Sequence, residues 1–127
     1  MSDIDYIRNV QAVGVFDGTT NQFKCNLSGV PVDNPPHICK IKQISFMTVE
    51  TDLNLYTLWS DMVNDNVASF TNDTTTICPD TTILLKRPIV GDIYFTLLSL
   101  QSNLLQPITD SDANIILNLE FIRYNKN

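Results

Sequence analysis

The sequence predicts an all-β protein, a β-sandwich in the form of a single jelly roll of 8-9 antiparallel strands, on three observations. The first is composition. Twelve of the fourteen acids are Asp, and Asn and Thr each occur thirteen times. These residues favour turns and pleated surfaces, whereas the helix formers Ala, Glu, Lys and Arg are scarce. The second is a two-residue hydrophobic period, cleanest from Asn114 to Tyr124, where Ile115, Leu117, Leu119 and Phe121 share one parity. At helical spacing the apolar residues of that run would spread around the whole cylinder, so a strand is predicted. The third is a turn signal about every 8 to 12 residues along the chain, the spacing of sandwiches and barrels. A length of 127 residues suits a single domain, residues 1–127, with enough core to fold without staples.

Taken in order, Val10 to Phe16 and Gln22 to Ser28 are strand candidates, and Asp17-Gly18-Thr19-Thr20 between them predicts a hairpin turn. In the second run Phe23, Cys25 and Leu27 alternate with Gln22, Lys24 and Asn26, one dry face and one wet. Gly29 to Pro36 holds three prolines and predicts a loop or extended edge. From His37 to Glu50 the apolar phase slips, with Cys39 and Ile41 on one parity and Ile44 and Phe46 on the other. A slip of one residue turns a strand over, so a bulge is expected near Lys42-Gln43.

Leu53 to Ser60 alternates again, followed by a polar turn to Asn66 and a short strand from Val67 to Phe70. A polar loop spans residues 71–76, and Ile83 to Lys86 begins a strand that Arg87-Pro88 interrupts. Ile93 to Leu100 is apolar on both parities, the mark of a strand covered on both faces. Gln101 to Asp112, with Pro107, is read as loop before the last strand.

Charge and chemistry narrow the function classes. Eight Lys and Arg against fourteen Asp and Glu leave a net charge of −6, which repels phosphate backbones and anionic membranes, so neither nucleic acid nor membrane is an expected partner. No stretch is long and apolar enough to span a bilayer, and Met1 to Arg8 lacks the basic start and apolar core of a signal peptide. Cys25, Cys39 and Cys78 are odd in number and lack CxxC spacing, which predicts buried thiols in a reducing compartment. His37 is the sole imidazole, and no nucleophile, base and orienting acid converge near it, so no catalytic residue is assigned and the chain is expected not to be an enzyme. Asp61 with Asp65, and Asp110 with Asp112, fall in loops without an EF-hand pattern and are read as turn chemistry, with no metal and no cofactor expected.

What remains is apolar surface on the second faces of the strands. Tyr94, Leu98 and Leu100 oppose Ile93, Phe95 and Leu97, while Ile116, Ile122 and Tyr124 oppose the core parity of the last strand. In a two-layer sandwich only one face of a strand meets the core. Either a long loop such as residues 29–36 or 101–112 covers the second faces, or they meet another subunit, and then Tyr94, Leu98, Ile116, Ile122 and Tyr124 are the expected interface residues of a homo-oligomer. Tyr56 or Trp59 would serve instead if the domain bound a glycan or receptor at a loop-side pocket.

LYTLWSDMVNDNVASF (residues 55–70), PIVGDIYFTLL (88–98) and ANIILNLEFIRY (113–124) resemble, in strand pattern, segments of small β-sandwich proteins of icosahedral double-stranded DNA viruses. In that group single jelly rolls act as minor capsid, cement, vertex or spike components. The resemblance covers roughly the C-terminal half of the chain by strand pattern and carries over no catalytic residue. It implies a viral structural protein, made in the host cytoplasm and located in the virion, whose partners are copies of itself and other capsid proteins.

Overall fold

Residues 4–26, 37–85 and 92–124 are described by the structure, a computed structural model. They form ten strands and no helix: β1 (Ile4–Phe16), β2 (Gln22–Cys25), β3 (His37–Thr48), β4 (Leu55–Ser60), β5 (Asp65–Thr71), β6 (Thr76–Ile77), β7 (Thr81–Leu85), β8 (Ile93–Gln101), β9 (Leu104–Pro107) and β10 (Ala113–Tyr124). The expected loop at residues 29–36 and the break at Arg87-Pro88 lie outside the described residues.

The strands make two antiparallel sheets. The first runs β1-β10-β3, with β6 and β7 sharing the far side of β3; the second runs β8-β4-β5, with β2 and β9 sharing the other side of β8. The pairing is nested, β1 with β10, β2 with β8, β3 with β6 and β7, and β4 with β5. A long hairpin rolled upon itself pairs in this way, which is the jelly-roll arrangement of two layers. Ten strands occupy eight positions because β6 with β7, and β2 with β9, each divide one edge.

Alternation explains the burial. On β10, Ala113, Ile115, Leu117, Leu119 and Phe121 are buried, and on β8 so are Ile93, Phe95, Leu97 and Ser99. The bulge expected near Lys42-Gln43 is present: Asn118 pairs with Gln43 and Leu119 with Ile41, so Lys42 is the extra residue. It lets Cys39 and Ile41 on one side, and Ile44 and Phe46 on the other, all reach the core despite their opposite parities.

Two expectations are corrected. β1 and β2 do not form a hairpin; β1 pairs with β10 and β2 with β8, in different sheets. The turn at residues 17–20 is an arch between layers. Asp17 Oδ1 accepts from the backbone N–H of Thr19 (3.0 Å) and Thr20 (2.9 Å) and from the Thr19 hydroxyl (2.8 Å), which closes the turn without edge pairing. Burial drives the crossing: Phe16 and Phe23 meet edge to face at 6.1 Å, and Phe23 stacks on Phe95 at 5.4 Å. Gly14 permits that approach, because a Cβ there would stand 2.8 Å from the Phe23 ring and 2.9 Å from Ile115.

The second correction is at Gln101 to Asp112, where Leu104–Pro107 forms β9 against β8. Ser102 and Asn103 both take positive φ, 51° and 65°, the backbone of a two-residue hairpin turn. The signal is a Ser-Asn pair without glycine, so it does not stand out in the sequence.

Candidate functional site

The outward sides of the two sheets are the part of the molecule that the core does not explain. On the β1-β10-β3 sheet the register sets side chains in rows: Ile7, Ile122, Ile38 and Leu84; Asn9, Glu120, Lys40 and Thr82; Gln11, Asn118 and Gln43; Val13, Ile116 and Ser45; Val15, Asn114 and Met47. Two adjacent polar rows therefore separate an apolar row at one end from two mainly apolar rows at the other. Val13, Val15, Met47, Ile7 and Leu84 are all exposed, Val15 at 66% and Met47 at 65%. In the middle row Gln11 Nε2 donates to Asn118 Oδ1 and Asn118 Nδ2 donates to Gln43 Oε1, each at 3.2 Å.

On the β8-β4-β5 sheet, Tyr94 and Leu100 are exposed and Leu98 is half-buried. Leu100 pairs with Leu105 of β9, and Leu53, Leu55 and Leu104 are also exposed, Leu53 at 70%. Trp59 is half-buried, with Asn66 and Thr96 beside it in register.

The expected interface residues are thus divided between two opposite faces. Tyr94 and Leu98 stand on one sheet, Ile116 and Ile122 on the other, so they cannot form one patch. Ile122 is 3% exposed yet stands apart from the core cluster; it is flanked in its row by Ile7 and Ile38 and has little surface to offer a partner. The Tyr124 side chain lies outside the described residues. Sequence reasoning passed over Val13, Val15 and Met47. The signal was present at Ala12 and Gly14: where small residues take the core parity, the larger neighbours must point outward.

Tyr56 is a further correction to the expectation of an exposed ring. Its ring is completely buried, 4.6 Å from Phe46 and 5.9 Å from Phe70, because Tyr56 takes the core parity of β4. Its hydroxyl donates to Asp110 Oδ2 at 3.0 Å, and the Thr48 hydroxyl donates to the same oxygen at 2.6 Å. Burial and the adjacent carboxylate raise the phenol above its ordinary value. Asp110 also lines an open polar depression of about 250 Å³ with Thr48, Glu50, Thr51, Thr109 and Ser111. No group of three His, Cys, Asp or Glu among the described residues is placed to hold a metal.

Other acids behave as turn chemistry. Asp61 Oδ1 accepts from the Tyr94 N–H at 2.8 Å, and the Asp61 N–H donates to Tyr94 O at 3.1 Å. Asp65 accepts from the Asn66 N–H, and Asp73 from the Thr71 hydroxyl. Asn72 accepts from the Asn54 N–H and donates to the carbonyls of Glu50 and Asp52, fastening the loop before β4 to the end of β5. Cys25 and Cys39 are buried as expected, and burial raises their thiols to about 11 and about 12, so neither is a nucleophile at neutral pH. Cys78 departs from the expectation and is exposed in the loop after β6. His37 opens β3, and its side chain lies outside the described residues.

No protein-family model and no curated protein matches the chain. Among solved structures, the Drosophila NLP core, whose structure concerns pentamer formation and histone binding, is similar at a TM-score of 0.47 and 13% identity, over 87% of this chain and 97% of its own. A chain of infectious bursal disease virus, Gt strain, is similar at a TM-score of 0.42 and 11% identity, over 96% of this chain and 32% of its own. The CBM22-1 xylan-binding domain of Xyn10C from Paenibacillus barcinonensis is similar at a TM-score of 0.40 and 15% identity, over 100% of this chain and 82% of its own.

Proposed function

We propose that this chain is a non-enzymatic structural subunit of an icosahedral virus particle, a minor capsid, cement or vertex component that associates with copies of itself and with neighbouring capsid proteins. The observation that carries the reading is apolar surface on both outer faces of the sandwich, Val13, Val15 and Met47 on one and Leu55, Leu100 and Leu105 on the other. Water-facing strands ordinarily alternate apolar with polar, and extensive apolar surface marks association sites. A subunit with contacts on two opposite faces can be held between neighbours, and many weak contacts multiply through a lattice. The viral setting, and with it a place in the virion after synthesis in the host cytoplasm, comes from the resemblance of residues 55–70, 88–98 and 113–124.

The test is the mass of the purified chain in solution, together with its retention on particles. Met47→Asp with Val13→Asp, and separately Leu100→Asp with Leu105→Asp, should release contacts on one face each while the chain stays folded, because all four positions are exposed. Unchanged mass and unchanged particle retention in both pairs would remove the reading.

A second reading, a carbohydrate- or receptor-binding module, draws on Trp59, which is half-buried and pairs in register with Asn66 on one side and Thr96 on the other. A flat aromatic flanked by hydrogen-bonding side chains is a suitable platform for a sugar. Binding on a glycan array that is lost in Trp59→Ala, with self-association intact, would select it.

A further inference from the structure

The sandwich has four sheet edges among the described residues, and three of them are interrupted. β5 begins at Asp65 and carries a register shift opposite Leu58 and Trp59. The outer side of β3 is divided between β6 and β7, and the outer side of β8 between β2, which carries Lys24, and β9, which ends at Pro107. Short pieces, bulges, charges and proline are the devices that keep an edge from joining another chain. β1 has none of them over most of its length. It spans thirteen residues, keeps an unbroken register with β10 from Tyr6 to Phe16, and holds neither charge nor proline from Asn9 to Phe16. Its only strand partner among the described residues is β10.

A second observation indicates what fits there. The amide row that crosses three strands, Gln43, Asn118 and Gln11, runs to this edge and stops at it. Gln11 is exposed, its Nε2 bonds inward to Asn118, and no described residue donates to its Oε1. The group that would continue such a row is another amide in the same register, and stacked amide rows are a recurrent stabiliser of strand pairing.

We propose that two copies of this chain join through β1, antiparallel, about a two-fold axis at Gln11. This rests on the reading of the chain as a self-associating subunit and names the contact. Side chains alternate along a strand, so in a merged sheet an outward residue must face an outward residue. Placing Gln11 against Gln11 of the second copy meets that condition along the whole edge. Asn9 then faces Val13 and Ile7 faces Val15, all outward, and the amide row passes unbroken from one copy to the other. The contact is isologous, the commonest way for identical chains to pair. It also brings two chains of net charge −6 together along a segment, Tyr6 to Phe16, whose one charged residue is the cationic Arg8, where their repulsion is least.

The test is a charge exchange at the axis, read by analytical ultracentrifugation of the full chain. Gln11→Lys and Gln11→Glu are surface changes, and circular dichroism should be unchanged in both. The wild-type chain should dimerise. Each variant alone places like charges opposite one another and should weaken the dimer roughly tenfold or more. An equal mixture of the two should restore it, because Lys then faces Glu, and the recovery requires residue 11 of one copy to lie beside residue 11 of the other. A monomeric wild type, variants that keep the wild-type dimer, or a mixture that does not recover would each overturn the proposal. Met47→Asp separates it from contact through the faces: loss of association there, with Gln11→Lys unaffected, would uphold the structural-subunit reading and overturn pairing through β1.

Discussion

The two sheets solve the same packing problem with different material. The β1-β10-β3 sheet is built on strands of thirteen, twelve and twelve residues, and its inner side is mainly aliphatic, with Ile41, Ile44, Ile115, Leu117 and Leu119 around three rings, Phe16, Phe46 and Phe121. The β8-β4-β5 sheet has strands of nine, six and seven residues and faces inward with Phe23, Tyr56, Phe70 and Phe95. A short strand has fewer ladder bonds and fewer inward positions, so each position has to bury more area, which an aromatic ring does. The difference teaches that strand length and side-chain size offset one another across a shared core. It also separates the outer faces: the long strands support an ordered amide row, while the short ones end in a leucine-rich corner around β9.

The largest effect should come from the buried rings. Phe95→Ala should cost about 3–5 kcal/mol and Leu117→Ala about 2–5 kcal/mol in chemical denaturation, both sites being fully buried. Equal losses would mean that the rings carry no more than the aliphatics, and the contrast between sheets would fail. Gly14→Ala tests the seam between them. Its new methyl would meet Phe23 and Ile115 well inside contact distance, and overpacking of this kind should cost about 1–3 kcal/mol. Tyr56→Phe removes one of the two hydroxyls on Asp110 Oδ2 and should cost about 1 kcal/mol.

The pH dependence gives smaller and opposite signs at the two ends of the scale. Tyr56 and Cys39 are held above their ordinary values by burial, so the stability they contribute is intact below those ordinary values and lost as the solution is made alkaline. Asp17 is held below the usual carboxylate range by the N–H groups of Thr20 and Thr19. Its contribution is present above that range and lost as pH falls below it toward the lowered folded value; Asp17→Asn should therefore flatten the acid limb of a thermal-melting curve. In the native protein Cys78 should react readily with a thiol reagent and Cys25 and Cys39 only on unfolding; rapid labelling of all three would show that the core is open. Smallest of all, Met47→Ser should shift stability by less than about 0.5 kcal/mol.

Much of the layer structure is legible in residue order because the two-residue period is a property of the extended backbone itself. Residues 113–124 alternate cleanly enough to name their buried side, and the phase slip around Lys42 announced its bulge, since only an extra residue lets both parities reach one core. β9 was hidden because Ser102-Asn103 turns without glycine and the strand is short. The surface residues were legible one strand at a time, which placed Tyr94 and Ile116 in one group although they stand on opposite sheets.

By itself, then, the order of residues determined strand character, the inward parity of most strands and the absence of helix among the described residues, all local consequences of backbone geometry and side-chain type. Which strands became neighbours was decided only in the folded molecule. Asp17-Gly18 is compatible with a hairpin, yet β1 and β2 part into different sheets, where Phe16 and Phe23 are both buried and meet across the core over the gap that Gly14 leaves. The same tertiary pairing left β1 at an edge and brought the amide row of Gln43, Asn118 and Gln11 to it, a juxtaposition of residues far apart in the chain that no local pattern encodes.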